Sequence, residues 1–367
     1  MLLLIAALTG CAVPGEPTVR HRSVPESVHD LAAHQQGDAI VLRFTLPSNS
    51  AARRPPGEAP TIEIYRGAPP APQKSAAPRL VHTIAGDALG AYERNGAVEY
   101  RDSLDPAEIA SSPGETLLYF VRTHNSAKRA SSDSNSVTVR VYPAPRPIDS
   151  LRATVMEDAI LLSWAPPPAT SGGAAGSKPV DIVRYRVYRA EIPAGDAAAA
   201  VADPSKAKLG EVLQLLGEPV QPGYRDEHFT FGRAYFYTVR SVAQSNSEVT
   251  ESADSNLVVV SAKDVFPPAA PQGLEAVINP ATPEASPSIE LVWAIGTEPD
   301  LAGYVVYRSE QPDDVGRRVS TELLPVPAFR DTTVLPGHQY FYRVRAIDRA
   351  GNESALSAPV AVQIPAP

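Results

Sequence analysis

The chain has 367 residues, 33 basic and 41 acidic, with a formal net charge of −8 and a pI of about 5.5. That acidic balance, with its charges scattered rather than blocked, argues against a nucleic-acid-binding surface, which carries a basic footprint. Its 38 prolines are about twice the usual share, which favours loops, linkers and edge strands over helices, and its one cysteine cannot close an internal disulfide.

The chain begins with an apolar run, Leu2–Leu8, that ends in Thr9, Gly10 and Cys11. Seven apolar residues suit the core of a signal peptide and fall far short of the ~20 needed to span a bilayer. Leu8-Thr9-Gly10-Cys11 resembles the lipobox of bacterial lipoproteins, which reads Leu, small, Gly or Ala, then Cys. The resemblance implies cleavage before Cys11 and a diacylglyceryl group on its thiol. Two acyl chains suffice for stable anchoring without any protein segment in the membrane. Residues 1–10 then form a signal peptide and 11–23, with Pro14, Gly15 and Pro17, a tether. By the same resemblance Ala12, in place of an inner-membrane retention aspartate, permits the outer membrane where the source has one. The alternative is an apolar N-terminus with an incidental cysteine.

A threefold repeat follows. Its first run is Ala39–Phe44, Ala159–Trp164 and Ser288–Trp293. The second ends in Tyr-Arg: Tyr65-Arg66, Tyr188-Arg189 and Tyr307-Arg308. An aromatic-Arg-Asp step comes next, ending in Asp102, Asp226 and Asp331. Leu117–Arg122, Tyr235–Arg240 and Tyr340–Arg345 form the fourth run, and Val137–Val141, Leu257–Val260 and Val360–Ile364 the last. Each is short, rich in β-branched and aromatic residues, and bounded by turn residues, as strands are. Without convincing amphipathic helices between them, they predict antiparallel β-sandwiches, each long enough to bury its own core.

The repeats resemble fibronectin type III domains. Trp164 and Trp293 match the family's second-strand tryptophan, and Tyr235 to Ser241 and Tyr340 to Ala346 its Tyr-x-aromatic-x-Val-x-small strand. The resemblance implies an all-β chain of three tandem immunoglobulin-like domains, at 24–142, 148–262 and 268–364. It places Trp164 and Trp293 between the sheets and Tyr235 and Tyr340 at tyrosine corners, where the ring packs inward and the hydroxyl bonds to nearby backbone. The first repeat departs from the pattern: Phe44 replaces the tryptophan, Leu117 replaces the corner tyrosine, and the span from Asp102 to Leu117 is six residues longer than its counterparts. Asp102, Asp226 and Asp331 are expected to cap turns.

The Pro-rich segments Tyr142–Pro147 and Phe266–Pro271 predict stiff linkers. The long loops 67–79, 166–182 and 192–208 are built of Gly, Ala, Ser and Pro and lack the Tyr, Trp and Arg anchors that carry binding energy, so they read as filler; Ala197–Val201 suggests a turn or two of helix. There is no Gly-x-Ser-x-Gly elbow and no phosphate-binding loop, and no two of the seven histidines have metal-binding helical spacing. His29 and His34 read as surface residues. No catalytic residue, metal set or cofactor is therefore expected. Two functions stay open: a non-enzymatic, lipid-anchored envelope protein acting as an interaction or spacer module toward a protein or glycan, or an accessory carbohydrate-binding or secretion-system component. The second would need an exposed aromatic platform, whereas Tyr235, Tyr237, Tyr340 and Tyr342 fall on predicted core strands.

Overall fold

The computed structural model describes residues 24–47, 59–70, 77–124, 129–168, 181–207, 213–245 and 248–366. The chain is all-β, with sheets that are antiparallel save for one parallel pairing, stacked as sandwiches. Its backbone clusters into two compact units. One takes the chain up to Ala153 with Leu162–Arg225 and Tyr235–Val259; the other takes Thr154–Leu161, Asp226–Ala234 and the chain from Val260 onward.

The first repeat supplies β1 (Ala32–Gln36), β2 (Ala39–Phe44), β3 (Thr61–Gly67), β4 (Arg79–Ile84), β5 (Glu93–Arg94), β6 (Ala97–Ser103), β7 (Glu115–His124) and β8 (Val137–Val141). Strands β4-β3-β7-β8 form one sheet and β1-β2-β6-β5 belong to the other. Alternation puts Ile40, Leu42 and Phe44 of β2 against Ile62 and Ile64 of β3 and Tyr119 and Val121 of β7, all almost wholly buried. Arg94 pairs with Ala97 across a two-residue Asn95-Gly96 turn in which both residues have positive φ, as tight hairpins require.

The second repeat supplies β9 (Arg152–Val155), β10 (Ile160–Ser163), β11 (Ile182–Ile192), β12 (Gln214–Gly217), β13 (Tyr224–Asp226), β14 (Ala234–Ser245), β15 (Glu248–Glu251) and β16 (Val258–Ser261). The third supplies β17 (Glu275–Asn279), β18 (Ser288–Val292), β19 (Leu301–Ser309), β20 (Arg317–Arg318), β21 (Ala328–Asp331), β22 (Gln339–Asp348) and β23 (Val360–Gln363). Sheets β17-β18-β21 and β20-β19-β22-β23 bury Ile289, Leu291, Val306, Tyr342 and Val344. Trp164 and Trp293 lie 7% and 6% exposed, each meeting a tyrosine ring edge-on, Tyr185 and Tyr304, at 5.3 Å. Tyr235 and Tyr340 are buried, and the Leu335 amide donates to the Tyr340 hydroxyl at 3.2 Å.

In the first repeat Leu117 stands in place of that ring. A cavity of about 270 Å³ opens there beside Arg66 and Leu117. The extra residues fold into α1 (Pro106–Ser111), N-capped by Asp105, and its Ile109 partly covers the gap. Ala194–Ala202 forms a second helix, α2, in the loop after β11, where the alanine run suggests one.

A serine device recurs in all three repeats. Beside β7, β14 and β22, a Ser-x-x-Ser segment replaces a neighbouring strand: Ser131/Ser134, Ser252/Ser255 and Ser354/Ser357. Each hydroxyl accepts a backbone amide of the long strand at 2.9–3.1 Å: Thr123 and Val121, Ser241 and Val239, Ala346 and Val344. Each serine amide in turn donates to the carbonyl of that same residue. Amides that would otherwise be buried without partners are thus satisfied by side chains. Asn135 and Asn256, next in sequence, bracket the backbone of Leu31 and Leu151 through both amide and carbonyl; the third repeat has Ala358 there instead.

Replacing Ser357 with alanine leaves the Val344 amide buried and unpaired. It should cost about 1–3 kcal/mol of unfolding free energy, seen as a lower denaturant midpoint with an unchanged slope. An unmoved midpoint would mean the hydroxyl does not satisfy that amide.

Candidate functional site

Charged groups concentrate in two settings. The first is internal. In the third repeat Arg308 donates to Asp331 at 2.7 Å, with both side chains almost fully buried, and lies over the Tyr340 ring at 4.8 Å. Tyr342 donates its hydroxyl to the same carboxylate at 2.9 Å, and Thr333 gives it an amide and a hydroxyl. The first repeat repeats the pattern: Arg66 and Tyr119 each donate to Asp102 at 2.7 Å. Burial raises the Asp331 carboxyl pKa, but the Thr333 and Tyr342 hydrogen bonds and the Arg308 charge outweigh it, so the net shift is downward. Burial, then the neighbouring aspartate, pushes the Tyr342 and Tyr119 phenols far up, which keeps them as hydrogen-bond donors. The expectation that Asp102 caps a turn is corrected here. Its carboxylate goes to a buried guanidinium and a phenol, while Asp226 and Asp331 do cap, accepting the His228 and Thr333 amides.

The second setting is a seam within the larger unit. Strand β15 pairs with β14 on one side and with β1 on the other, so strands of the first two repeats form one nine-stranded sheet. The Gly37 amide donates to the Glu251 carbonyl at 2.8 Å. Gly37 has a φ of 59°, and a Cβ on it would come within 3.0 Å of the Ala253 nitrogen, so the close approach needs glycine.

Side chains lace the seam together. Arg101 donates to Gln36 at 2.7 Å, Gln36 to Asp254 at 3.2 Å, and Arg240 to Asp254 at 2.6 Å and Glu251 at 3.1 Å. Arg186 bridges Glu251 and Glu218. Burial lowers the Arg186 and Arg240 pKa values, but the carboxylates around them outweigh it and both end raised. Arg240 also covers the Tyr188 ring at 4.6 Å. The segment after β8 joins this packing rather than standing clear as an extended linker. Tyr142 and Ala144 are buried, and the Gln35 amide group exchanges two hydrogen bonds with the Tyr142 backbone, at 2.7 and 3.0 Å.

Above the seam lies a cleft of about 720 Å³. Its floor is Val41, on the outer face of β2 yet only 3% exposed. Its walls carry His34, Arg43, Glu99 and Tyr188 from the strands and Glu93, Arg94 and Asn95 from the β5–β6 hairpin. Elsewhere, Asp264, Asp300 and Asp348 bring carboxylate oxygens within 4.8 Å of one another, and the Asn352 amide donates to Asp348 at 2.8 Å and lies 3.4 Å from Asp264.

Of the residues singled out from sequence, Leu8, Thr9, Gly10 and Cys11 lie outside the described residues. Trp164, Trp293, Tyr235 and Tyr340 are buried packing residues. His34 stands at the cleft, and the seam residues Gln36, Glu251 and Asp254 were not legible, because they come from different repeats. Among the described residues no helix is long and apolar enough to cross a membrane.

Two outcomes follow. Asp331→Asn leaves Arg308 buried without its counter-charge and should cost roughly 3–5 kcal/mol at neutral pH. Because the folded Asp331 pKa is depressed, its contribution is present above about pH 4 and is lost as pH falls through the folded value; the gap between wild type and variant should therefore close in acid. A gap that persists at a pH low enough to protonate Asp331 in the folded state would contradict the ionic origin. Glu251→Ala should release the seam: exchange of the Gly37 amide should quicken about tenfold, equivalent to about 1.4 kcal/mol, while Val344 in the third repeat exchanges as before. Equal protection at Gly37 would assign the seam to backbone pairing alone.

No family model matches the chain. It is similar to exoglucanase B of Cellulomonas fimi, at 26% identity over 263 residues, which is 68% of this chain and 20% of that protein. The chain therefore spans about a fifth of the length of this curated relative.

Proposed function

We propose that this protein is a non-catalytic accessory component of the bacterial cell envelope. It is held by a lipid on Cys11 and presents three tandem fibronectin type III-like modules as an interaction surface for a glycan or a protein partner. The observation that carries this is the seam. Fusing strands of two repeats into one sheet makes a stiff body, suited to holding a binding surface in place, and a tether of residues 11–23 would set it off from the membrane. The strongly shifted Tyr119 and Tyr342 phenols support a non-catalytic role, since each donates to a buried aspartate that an arginine also holds rather than facing a cleft.

A carbohydrate-related task is favoured over a purely protein-directed one by the similarity to exoglucanase B. It covers a minor part of that enzyme, as an accessory region would. The protein would then act beside a polysaccharide-degrading enzyme rather than replace one.

Cell fractionation and metabolic labelling test the anchor. The wild-type protein should pellet with membranes and incorporate labelled palmitate. Cys11→Ala should lose the label and move to the soluble fraction. A variant that pellets unchanged would overturn lipid anchoring, and polysaccharide hydrolysis by the purified protein alone would overturn the accessory role.

A further inference from the structure

We propose that the cleft above the nine-stranded sheet binds a neutral oligosaccharide; this rests on the carbohydrate-related function above and gives it a site. The cleft's volume of about 720 Å³ lies within the ~300–1,000 Å³ common for ligand sites. Its polar groups come in opposed kinds set side by side. Arg43 and Glu99 face each other directly in the β2–β6 register, yet among the described residues neither side chain has a hydrogen bond or ion pair. Glu93, Arg94 and Asn95 repeat the alternation on the adjoining hairpin, where Arg94 donates to the Glu93 carbonyl.

Sugar hydroxyls donate and accept at once, so a chain of them is matched by guanidinium, carboxylate and amide groups interleaved at short range. Other ligand classes fit worse. The lining sets four arginines, Arg43, Arg94, Arg101 and Arg240, against three carboxylates, Glu93, Glu99 and Asp254, so a ligand of either charge would meet like-charged groups. The cleft's apolar lining, Val41, Ala207, Leu213 and the Tyr188 ring, is interspersed with charged groups that an apolar ligand would have to desolvate.

The rear wall is already fixed. The Arg101–Gln36–Asp254–Arg240 relay is hydrogen-bonded end to end, and Tyr188 is held beneath Arg240. Binding would therefore order few groups, which keeps the entropy cost low. Beneath the cleft the sheet continues from β11 to β5, joined at the seam by the Gln36–Glu251 pair and the charged network around it.

Calorimetric titration of the purified chain tests this, with cellohexaose, xylohexaose and mannohexaose as neutral probes and hexagalacturonate as the anionic one. At least one neutral probe should bind more tightly than hexagalacturonate. Arg43→Ala and Glu99→Gln should each weaken it about tenfold, the loss typical of one charge-assisted hydrogen bond. Val277→Ala, on an exposed position of the third repeat, should bind as wild type. Unchanged melting temperatures in the two cleft variants would exclude misfolding as the cause. If a neutral probe binds but both cleft variants keep full affinity, the cleft assignment falls while the carbohydrate-related function survives. If no neutral probe binds, both fall. Tighter binding of hexagalacturonate would overturn the neutrality of the ligand.

Discussion

Glu251 is the point at which two sheets become one. Its backbone carbonyl accepts the Gly37 amide, and its carboxylate lies between Arg186 and Arg240. Without that pairing, β1 and β15 would each end a sheet with unpaired amides and carbonyls, the kind of edge that invites adventitious strand addition. With it, the end of each edge is closed at one parallel pair, Gln36 opposite Glu251. The ionic lacing sits only partly out of water, where a single ion pair is worth little; its effect comes from being a network that fixes one register. The cleft follows from the same join, because its walls come from strands that only the seam brings side by side.

Buried ion pairs recur inside the sandwiches, and their physical meaning differs from that of the seam. Arg308 and Asp331 lose nearly all their hydration, so their mutual attraction is offset by the cost of removing both charges from water. What remains is specificity. The Arg–Asp–Tyr set can be satisfied only when β19, β21 and β22 take their native register. Where the first repeat lacks the corner tyrosine, the arginine and aspartate persist, but the ring that would cover Arg66 is gone and a cavity lies beside it. The polar set is thus shared by the two repeats and the aromatic cover over it is not.

The all-β fold was legible because strand periodicity, turn residues and core aromatics all pointed the same way. Trp164, Trp293, Tyr235 and Tyr340 could be placed in the interior from their own runs. The serine segments were visible as Ser-x-x-Ser after the long strand, yet their role could not be read, since a serine near a strand end ordinarily caps a turn. Here it stands in for a missing partner strand. The fate of Asp102 was hidden for a related reason: an aspartate after an arginine in a turn-like step gives no hint that a different arginine, Arg66, will be folded onto it. The seam was invisible, because nothing in Gln36, Gly37 or Glu251 marks them as partners before tertiary structure brings them together.

The stiff linker expected from Tyr142–Pro147 shows how one property can have two causes. Proline would stiffen an exposed segment through its backbone alone. Here Tyr142 and Ala144 are buried and the Tyr142 backbone is held by Gln35, so stiffness comes from packing against the first repeat. The difference matters for binding. A proline spacer fixes distance but leaves rotation free, and a cleft built across it would open and close with that rotation. A packed, strand-paired join fixes rotation as well. Groups from β11 and β14 then hold position against groups from β2 and β6 to within hydrogen-bonding tolerance, which a ligand recognised through many weak hydroxyl contacts requires.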